Sequence, residues 1–455
     1  MLKALGSYYS YKNSGIEWIG DIPSNWEIKK LKFLGEAITG LTYSPNDVVN
    51  ESAGILVLRA SNIQNGVITY QDNVYVDMKI PRKLITRKND ILICSRNGSR
   101  RLIGKCAKID ETSQGLSFGA FTTVFRSKYS SFLFYAFQSP LFKFQIGTFL
   151  TATINQLTIG NLNSLQVPLP STAEQEKIVS YLDSKVKDID YLLAEKERLI
   201  NLLEKKRQAM ITEAVTKGLN PNVKMKDSSV EWIGEIPEHW EKTRLDFIAR
   251  VKARLGWKGL KAEEYVEEGY IFLSTPNLKG RYIDFENVNY ITEERYLESP
   301  EIMLEVGDVL LAKDGSTLGI TNVVRSLPNK ATVNSSVAVL RPKEIIDSVY
   351  FYYYLTSTYI QDTINQIKDG MGVPHLFQAD IKKFPIILPP LEEQKEISQH
   401  LDNQTEILES TITMIKQQIQ KLKEYRQSLI YEAVTGKIDV RDFEIEQVRG
   451  GVYGN

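Results

Sequence analysis

Residues 17–23 read Glu-Trp-Ile-Gly-Asp-Ile-Pro, and residues 231–237, which lie 214 positions later, read Glu-Trp-Ile-Gly-Glu-Ile-Pro. Each copy is followed, three residues after its proline, by a second tryptophan, Trp26 or Trp240. A later segment also repeats, because KRQAMITEAVT at 206–216 returns as YRQSLIYEAVT at 425–435. Solenoid repeats run at roughly 20 to 50 residues. A repeat that spans about half of the chain therefore indicates a duplicated domain, and two similar halves can form a pseudo-dimer with an approximate two-fold axis.

The composition is that of a globular protein, with 42% hydrophobic and 25% charged residues in a chain of 455. No apolar run approaches the ~20 residues that span a bilayer, and the first residues lack the apolar core of a signal peptide. The two cysteines, Cys94 and Cys106, are expected to be buried structural thiols in a reducing compartment. We therefore expect a cytoplasmic protein.

Two segments, 174–216 and 392–435, contain no glycine or proline and are rich in leucine, lysine and glutamate. Their apolar residues recur every seven positions, which is typical of a coiled coil. At 1.5 Å per residue each helix would be about 65 Å long, so we expect the two helices to pair with each other, antiparallel. Lys196, Arg207 and Arg426 interrupt the apolar positions and are predicted to fix the register. The predicted core positions are Leu182, Ile189, Leu203 and Met210 in the first helix, and Leu401, Leu408, Ile415, Leu422 and Leu429 in the second.

The remaining sequence predicts an α+β protein with two similar mixed α/β domains. Strands are expected at 55–59, 90–94, 122–125, 308–312 and 336–340, and single helices at 131–144 and 348–367. The predicted boundaries are 1–172 for the first globular domain, 173–217 for the first spacer helix, 218–230 for a linker, 231–389 for the second domain, 390–436 for the second helix and 437–455 for a tail.

Sequence motifs of common catalytic sites are missing. We find neither a dinucleotide-binding nor a nucleoside-triphosphate-binding glycine loop. The three histidines, His239, His375 and His400, lack metal-ligand spacing. The Pro-Pro pair at 389–390 is not the Asn/Asp-Pro-Pro-Tyr/Phe motif of an adenine methyltransferase. These observations favour binding over catalysis, and we predict no metal site.

The net charge is zero, but the basic residues are segregated. Eight lysines or arginines lie in 81–105 beside one acid, and seven lie in 242–261 beside one acid. Such basic stretches are often only solvated faces. Here each half of the chain contains one beside turn-rich sequence, which indicates two phosphate-facing surfaces. Arginine, asparagine and hydroxyl side chains suit base edges and phosphates. The candidate DNA-binding residues are Thr42, Tyr43, Ser44, Asn62, Gln64, Arg96, Asn97, Ser99, Arg100, Arg101, Lys258, Asn277, Lys279, Arg281, Lys313, Ser316, Thr317, Asn334 and His375.

With both Trp-Ile-Gly-x-Ile-Pro copies and both Glu-Gln…Glu-Ala-Val-Thr helices in place, the chain resembles the specificity subunits of type I restriction–modification systems. The resemblance covers about residues 15–440. It implies that each globular half is a target recognition domain for one half of a split DNA sequence, and that the helices separate the two domains. It also implies a non-catalytic subunit without cofactors of its own, assembled with modification subunits, two of them, and with restriction subunits. S-adenosylmethionine, ATP and magnesium would then belong to those partners.

Two other functions compete with this interpretation. A coiled-coil scaffold that binds proteins would explain the neutral charge and the long helices, but not the paired basic segments. An enzyme with an unrecognised site is the other alternative. The salt dependence of DNA binding distinguishes the scaffold from the DNA reader.

Overall fold

The computed structural model describes residues 6–150, 155–230, 233–253, 260, 262–369 and 375–444. The candidate DNA contact Lys258 therefore lies outside the described residues. The chain divides into two units, Met1–Glu197 with Gln417–Asn455, and Arg198–Lys416. We call them unit 1 and unit 2. Each long helix is shared by the two units, so each unit combines one globular region with a part of both helices.

The helices have the following bounds: α1 Ser130–Gln138, α2 Pro140–Phe149, α3 Ile159–Ser164, α4 Thr172–Lys217, α5 Leu245–Ile248, α6 Glu293–Leu297, α7 Ser348–Thr356, α8 Thr358–Asp369, α9 Gln378–Ile381 and α10 Leu391–Val434. The two long helices predicted from the heptad pattern are thus α4, with 46 residues, and α10, with 44. In the part of the chain that the structure describes, no helix is long and apolar enough to cross a membrane.

Unit 1 contains two four-stranded sheets. One has the order β11-β10-β13-β4 and is antiparallel throughout; the other has the order β12-β6-β9-β5, in which β12 and β6 are parallel. The strands are β1 Tyr11–Asn13, β2 Asp21–Pro23, β3 Glu27–Lys30, β4 Glu36–Thr39, β5 Val48–Val49, β6 Ile55–Leu58, β7 Ile63–Gln64, β8 Val67–Ile68, β9 Tyr75–Val76, β10 Ile91–Cys94, β11 Cys106–Lys108, β12 Ser117–Phe118, β13 Thr122–Arg126 and β14 Gln166–Leu169.

Unit 2 repeats this topology with fewer strands. Its larger sheet has the order β18-β24-β21-β22, and a second sheet, β20-β19-β23, again contains one parallel pair, β19 with β23. The strands are β15 Met225–Asp227, β16 Glu235–Pro237, β17 Glu241–Arg244, β18 Ala249–Lys252, β19 Tyr270–Leu273, β20 Asn289–Ile291, β21 Val309–Ala312, β22 Thr321–Val323, β23 Ala331–Val333, β24 Val337–Pro342 and β25 Pro385–Leu388. All five strands predicted from the sequence are present, with shifts of one or two residues at their ends.

Each predicted aromatic-rich helix is two helices in the structure. Between α1 and α2, Ser139 is extended because it precedes Pro140, and a residue before proline avoids the helical conformation. Between α7 and α8, the Ser357 hydroxyl donates to the Tyr354 carbonyl at 2.6 Å, so the side chain competes with helix continuation. The two predictions of one continuous helix were wrong for these reasons.

The helix pairing in unit 1 joins the first half of α4 to the second half of α10. Leu182, Val186 and Ile189 are buried against Leu429 and Ala433 in the core of the unit. Arg426 donates to both carboxylate oxygens of Asp190, at 2.8 and 3.2 Å. The Lys196 ammonium donates to Gln418 at 2.6 Å. Residue numbers fall on α10 as they rise on α4, so the halves run antiparallel, as predicted.

The pairing in unit 2 joins the second half of α4 to the first half of α10. Leu401, Leu408 and Ile415 are buried. Arg207 donates to Glu409 at 3.1 Å, in the same antiparallel sense. Each of the three predicted interrupting residues thus makes a polar contact with the facing helix, which ties a particular register to a hydrogen bond or an ion pair.

The repeated tryptophans explain why the two sequence motifs recur together. Trp26 is fully buried and its indole N–H donates to Glu174 in the first turn of α4, at 3.2 Å. Trp240 is also fully buried and donates in the same way to Glu393 in the first turn of α10, at 3.1 Å. The motif therefore fixes the start of the long helix that follows its own domain.

Candidate nucleic-acid interface

A cleft of about 1190 Å³ opens at one end of the sheets of unit 1. The register explains its position: Cys94, the last residue of β10, lies opposite Thr122, the first of β13, and Thr39 at the end of β4 lies opposite Thr123. The loops after β4 and β10 and the turn before β13 consequently meet. The lining residues are Leu41, Thr42, Tyr43, Pro45, Val48, Arg59, Ala60, Ser61, Asp72, Val74, Arg96, Asn97, Gly98, Gly119, Ala120, Phe121, Thr122, Asn155 and Gln156.

Close backbone approach at the base of the cleft requires glycine. A Cβ added at Gly40 would lie 2.2 Å from the carbonyl oxygen of Gly119. Leu41 and Gly119 form an isolated parallel bridge, which joins the loop after β4 to the turn before β13. The glycine thus lets two loops from distant parts of the sequence form one wall.

Four of the predicted DNA-binding residues line this cleft: Thr42, Tyr43, Arg96 and Asn97. Thr42 and Arg96 are exposed and Tyr43 and Asn97 are half-buried. The Asn97 side-chain oxygen accepts the Ser99 N–H at 2.9 Å, which leaves its amide group for other partners. The sequence therefore located two of the loops that form the cleft.

Sequence reasoning missed other residues of the cleft. Arg59 donates to Asp72 at 2.6 Å, and this ion pair forms part of the wall. Phe121 has 59% of its surface exposed, although a phenylalanine next to a strand is ordinarily read as core. The Arg96 guanidinium lies 5.2 Å from the centre of the Phe121 ring. The Gly-Ala-Phe turn at 119–121 between two apolar strands was the available signal.

The other candidates of unit 1 lie outside the lining of the cleft. Ser44 caps a short helical turn by donating to Asp47 at 2.8 Å. Gln64 donates to the Ser61 carbonyl at 3.0 Å and accepts from Lys105. Arg100 donates to the Gly147 carbonyl at 3.2 Å. Ser99 and Arg101 are exposed.

Asn62 and its counterpart Asn277 must be removed from the candidate DNA contacts. Asn62 is 0% exposed, and its amide donates to the main-chain oxygen of Thr69 at 2.9 Å. Asn277 is buried too and donates to the Asn287 carbonyl at 2.8 Å. Each side chain satisfies buried backbone groups of its own loop. The prediction is therefore wrong for both residues.

Unit 2 carries a matched loop with different side chains. After β21, Asp314 forms an isolated bridge with His375, as Arg96 does with Gln156 in unit 1. The Asp314 carboxylate is hydrogen-bonded to the His375 ring and lies 3.3 Å from the Lys313 ammonium. The loop residue that is basic in unit 1 is therefore acidic in unit 2.

The structure brings several predicted residues of unit 2 to this loop. Lys313, Thr317 and His375 are partly exposed, and Ser316 is exposed. The Thr317 hydroxyl donates to the Asp314 carbonyl at 3.1 Å. Asn334 precedes β24 and accepts the Ser336 N–H at 3.2 Å, and the Lys313 N–H donates to the Ser336 carbonyl at 2.8 Å, so the two loops adjoin. Lys279 is exposed on a separate loop.

Arg281 is a further correction. Its side chain is only 13% exposed and lies 3.7 to 3.9 Å from three acids of α10, Asp402, Glu406 and Glu409. Its guanidinium also donates to the Asp402 carbonyl at 2.9 Å. The cation fastens the loop to the long helix of unit 2, and the acidic stretch that it contacts lies about 120 residues further along the chain. The prediction that it contacts DNA is wrong.

Most basic residues of the first segregated stretch are exposed. Arg82, Lys83, Arg87, Lys88 and Arg101 all lie on the surface. The stretch is anchored by its one acid, Asp90, which is buried and accepts two bonds from Arg126 at 2.7 and 2.9 Å. The side-chain hydrogen bond to Asp90 raises the pKa of Arg126 above its ordinary value, so the guanidinium stays charged.

The cysteines are free and buried, as predicted. Burial raises the pKa of Cys106 to about 12 and raises the pKa of Cys94 as well. Thiols with raised pKa values carry little thiolate at neutral pH and are inert. Among the described residues, no group of three or more His, Cys, Asp or Glu side chains is placed to hold a metal ion.

A duplicated α+β domain with polar loops at one sheet end, mounted on paired helices, defines a two-part recognition protein. The family model described as "Type I restriction modification DNA specificity domain" matches residues 23–204 and again residues 237–424. The chain belongs to this family. Members of this family confer DNA sequence specificity, and this role is favoured over that of a coiled-coil scaffold.

Two relatives illustrate the similarity over nearly the whole chain. The chain is 28% identical over 449 residues to the putative type I restriction enzyme MjaX specificity subunit of Methanocaldococcus jannaschii, covering 95% of this chain and 98% of the relative. It is 23% identical over 436 residues to the type I restriction enzyme EcoKI specificity subunit of Escherichia coli K12, covering 92% and 90%.

The fold has a counterpart among solved structures. A chain from the work described as "Structural basis underlying complex assembly and conformational transition of the type I R-M system" aligns with a TM-score of 0.69 at 17% identity, covering 92% of this chain and 99% of that one. This likeness supports the fold.

Proposed function

We propose that the chain reads a bipartite double-stranded DNA target, one half-site with each recognition domain. In unit 1 the reading surface is the cleft with Arg96 and Asn97, and in unit 2 it is the matched loop with Lys313, Asp314 and His375. The observation that carries the proposal is that equivalent sheet ends present polar loops whose side chains differ, and even reverse in charge, between the two domains. A common scaffold with different loop chemistry suits two different base sequences.

The affinity for DNA would come from the exposed cations rather than from the net charge, which is zero. Exposed lysines and arginines at 82–101 neutralise phosphates and release counterions, so binding falls steeply with salt. The side chains in the cleft add discrimination between bases. The two contributions are separable because loss of a phosphate contact weakens binding to all sequences equally, whereas loss of a base contact weakens binding to the target sequence.

Partners would perform the chemistry. Relatives are specificity subunits of type I restriction enzymes. By this relationship the chain assembles with two modification subunits and with restriction subunits, directs adenine methylation and DNA cleavage, and is itself non-catalytic. S-adenosylmethionine, ATP and magnesium would be bound by those partners, and the complex would work in the cytoplasm. The absence of catalytic sequence motifs from this chain supports that division of labour.

The long helices α4 and α10 would set the gap between half-sites. One heptad inserted into both helices lengthens each by about 10 Å. We expect the preferred gap in the DNA target to change. An unchanged gap would show that the helices do not determine it.

Arg101 provides a direct test of the phosphate-facing surface of unit 1. In the complex of the full chain with its modification subunit, Arg101→Ala should weaken binding to all DNA sequences and lower the salt slope by about 1, as expected for a phosphate contact. Lys12→Ala is the matched control, because Lys12 is an exposed cation of unit 1 on β1, outside the loop surface. Equal salt slopes for Arg101→Ala and Lys12→Ala would contradict the assignment of this surface.

A further inference from the structure

Arg96 and Phe121 form a preformed pair in the cleft of unit 1. The Arg96 main-chain N–H donates to the Phe121 carbonyl at 3.0 Å, and the Arg96 guanidinium lies 5.2 Å from the centre of the Phe121 ring. Arg96 also bridges to Gln156 through the main chain. The backbone of this arginine is therefore held on two sides while its side chain is exposed.

The ring contact orients the arginine without consuming its donors. A guanidinium packed against an aromatic face keeps its N–H groups pointing outward in its own plane. The contact also restricts the rotamers of a long side chain, so less entropy is lost when the donors meet a ligand. The Phe121 side chain is 59% exposed. Among the described residues, the ring contact found for it is the one with Arg96.

The acceptors that line the cleft leave Arg96 available. The one carboxylate among the lining residues, Asp72, is paired with Arg59 at 2.6 Å. The Asn97 side-chain oxygen accepts the Ser99 N–H at 2.9 Å. Arg96 thus lines a cleft whose one carboxylate and whose Asn97 side-chain oxygen are already engaged.

Unit 2 does not contain this pair. The residue at the position of Arg96 is Asp314, which is bonded to His375. The residue at the position of Phe121 is Ser336, whose carbonyl accepts the Lys313 N–H at 2.8 Å, as the Phe121 carbonyl accepts the Ser95 N–H at 3.0 Å. The device belongs to the first reader alone.

We propose that Arg96 reads one guanine of the first half-site through the O6 and N7 atoms of its major-groove edge, and that Phe121 is a positioning residue for Arg96. The proposal rests on the proposed function and specifies the ligand of its first reading surface. Arginine donating to both guanine acceptors is the commonest specific contact in the major groove. Asp314 is an acceptor, so the residue at the position of Arg96 in unit 2 cannot donate to guanine.

The test uses the complex of the full chain with its modification subunit, bound to duplexes that carry its mapped target. The first half-site is the half that changes when residues 15–170 are exchanged for those of another family member. Each guanine in it is replaced in turn by 7-deazaguanine, which lacks the N7 acceptor. For the native chain, affinity should fall on the order of 5-fold at one guanine. Arg96→Ala should bind the native target about 10-fold more weakly and be insensitive to that replacement.

Two further variants test the role of Phe121. Phe121→Tyr keeps an aromatic face and should retain the 7-deazaguanine effect, whereas Phe121→Leu should reduce it. The double variant Arg96→Ala/Phe121→Leu should bind no more weakly than Arg96→Ala, because both residues act through one contact. Lys12→Ala, which removes an exposed cation of unit 1 on β1, is the control and should keep the native response.

The outcomes separate the inference from the proposed function. A first half-site without guanine, or an Arg96→Ala complex as sensitive to 7-deazaguanine as the native one, overturns the Arg96 assignment while sequence-specific binding stands. An additive effect of Phe121→Leu on Arg96→Ala overturns the positioning role. A native complex that binds all sequences equally overturns the proposed function itself.

Discussion

Replacing Asp402 with asparagine should destabilise unit 2 selectively. Asp402 on α10 accepts two hydrogen bonds from Arg325, both at 2.8 Å, and one from the Tyr353 hydroxyl at 2.7 Å. Asparagine preserves the size of the side chain but loses the negative charge and one acceptor. Arg325 would then remain in place, three-quarters buried, without its counter-ion.

The magnitude follows from the hydrogen bonds and the ion pair that the substitution removes. Hydrogen bonds to charged groups contribute about 1.5 to 3 kcal/mol each, and removing one partner of a buried ion pair costs about 3 to 5 kcal/mol. Both side chains retain about a quarter of their surface in water, 25% for Arg325 and 27% for Asp402, so solvent compensates in part. We expect Asp402→Asn to cost about 2 to 3 kcal/mol.

Unit 1 supplies a matched control at the equivalent position. Asp183 on α4 is exposed and accepts a hydrogen bond from the Tyr135 hydroxyl. The amide oxygen of an asparagine can accept the same bond, so Asp183→Asn should cost only about 0.5 to 1 kcal/mol.

Hydrogen exchange measured peptide by peptide in the full chain distinguishes the two variants. Asp402→Asn should lower the free energy of opening for β21 and β24 in unit 2 and leave β10 and β13 in unit 1 unchanged. Equal losses for the two variants, or a loss spread evenly over both units, would show that the Arg325–Asp402 ion pair does not stabilise unit 2 selectively.

Three further predictions concern stability. Burial raises the pKa of Tyr181 from its ordinary 10.0 to about 12, so its contribution to the free energy of unfolding is complete below pH 10 and is lost as the pH rises toward 12. The fall in urea midpoint between about pH 9 and 11.5 should therefore be smaller for Tyr181→Phe than for the native chain, and equal falls would contradict this. Gly436→Ala should lower the free energy of unfolding by about 1 kcal/mol or more, because φ is +70° and the added Cβ would lie 2.4 Å from a ring atom of Pro23. Gly147→Ala is the control: a Cβ there meets open space, so urea titrations should show no loss of stability. Lys196→Leu removes the hydrogen bond to Gln418 but extends the apolar seam, and should raise the free energy of unfolding of unit 1 by about 1 kcal/mol, measured as a higher urea midpoint. A lower midpoint would show that the polar contact is the more stabilising.

The architecture could be predicted from the sequence because the residues that determine it recur periodically or as repeated motifs. The heptads of α4 and α10 and the two tryptophan motifs each recur at a fixed spacing, so tertiary context was not needed to read them. Pro140 is a sequence signal for the break between α1 and α2. The prediction missed it because the apolar run on both sides of the proline suggested one helix. The split at Ser357 depends on a side-chain bond and could not be read locally.

The site was only partly predictable. Arg96 was found because it follows a strand in a polar turn, whereas Phe121 looked like the beginning of a buried strand. Asn62 and Asn277 are of a residue type that often reads bases, but their side-chain amides donate to backbone carbonyls of their own loops. Arg281 pairs with acids about 120 residues away. Whether a polar side chain serves DNA or the fold depends on such distant contacts, which composition does not reveal.

The most direct test of the two-reader account is a map of methylated adenines in a host that expresses the chain with its modification subunit. We expect a split motif with a fixed gap of unspecified bases. Exchange of residues 15–170 for those of another family member should change one half of the motif and leave the other half intact. Methylation without a split motif, or a change in both halves after this exchange, would show that the two domains do not read separate half-sites.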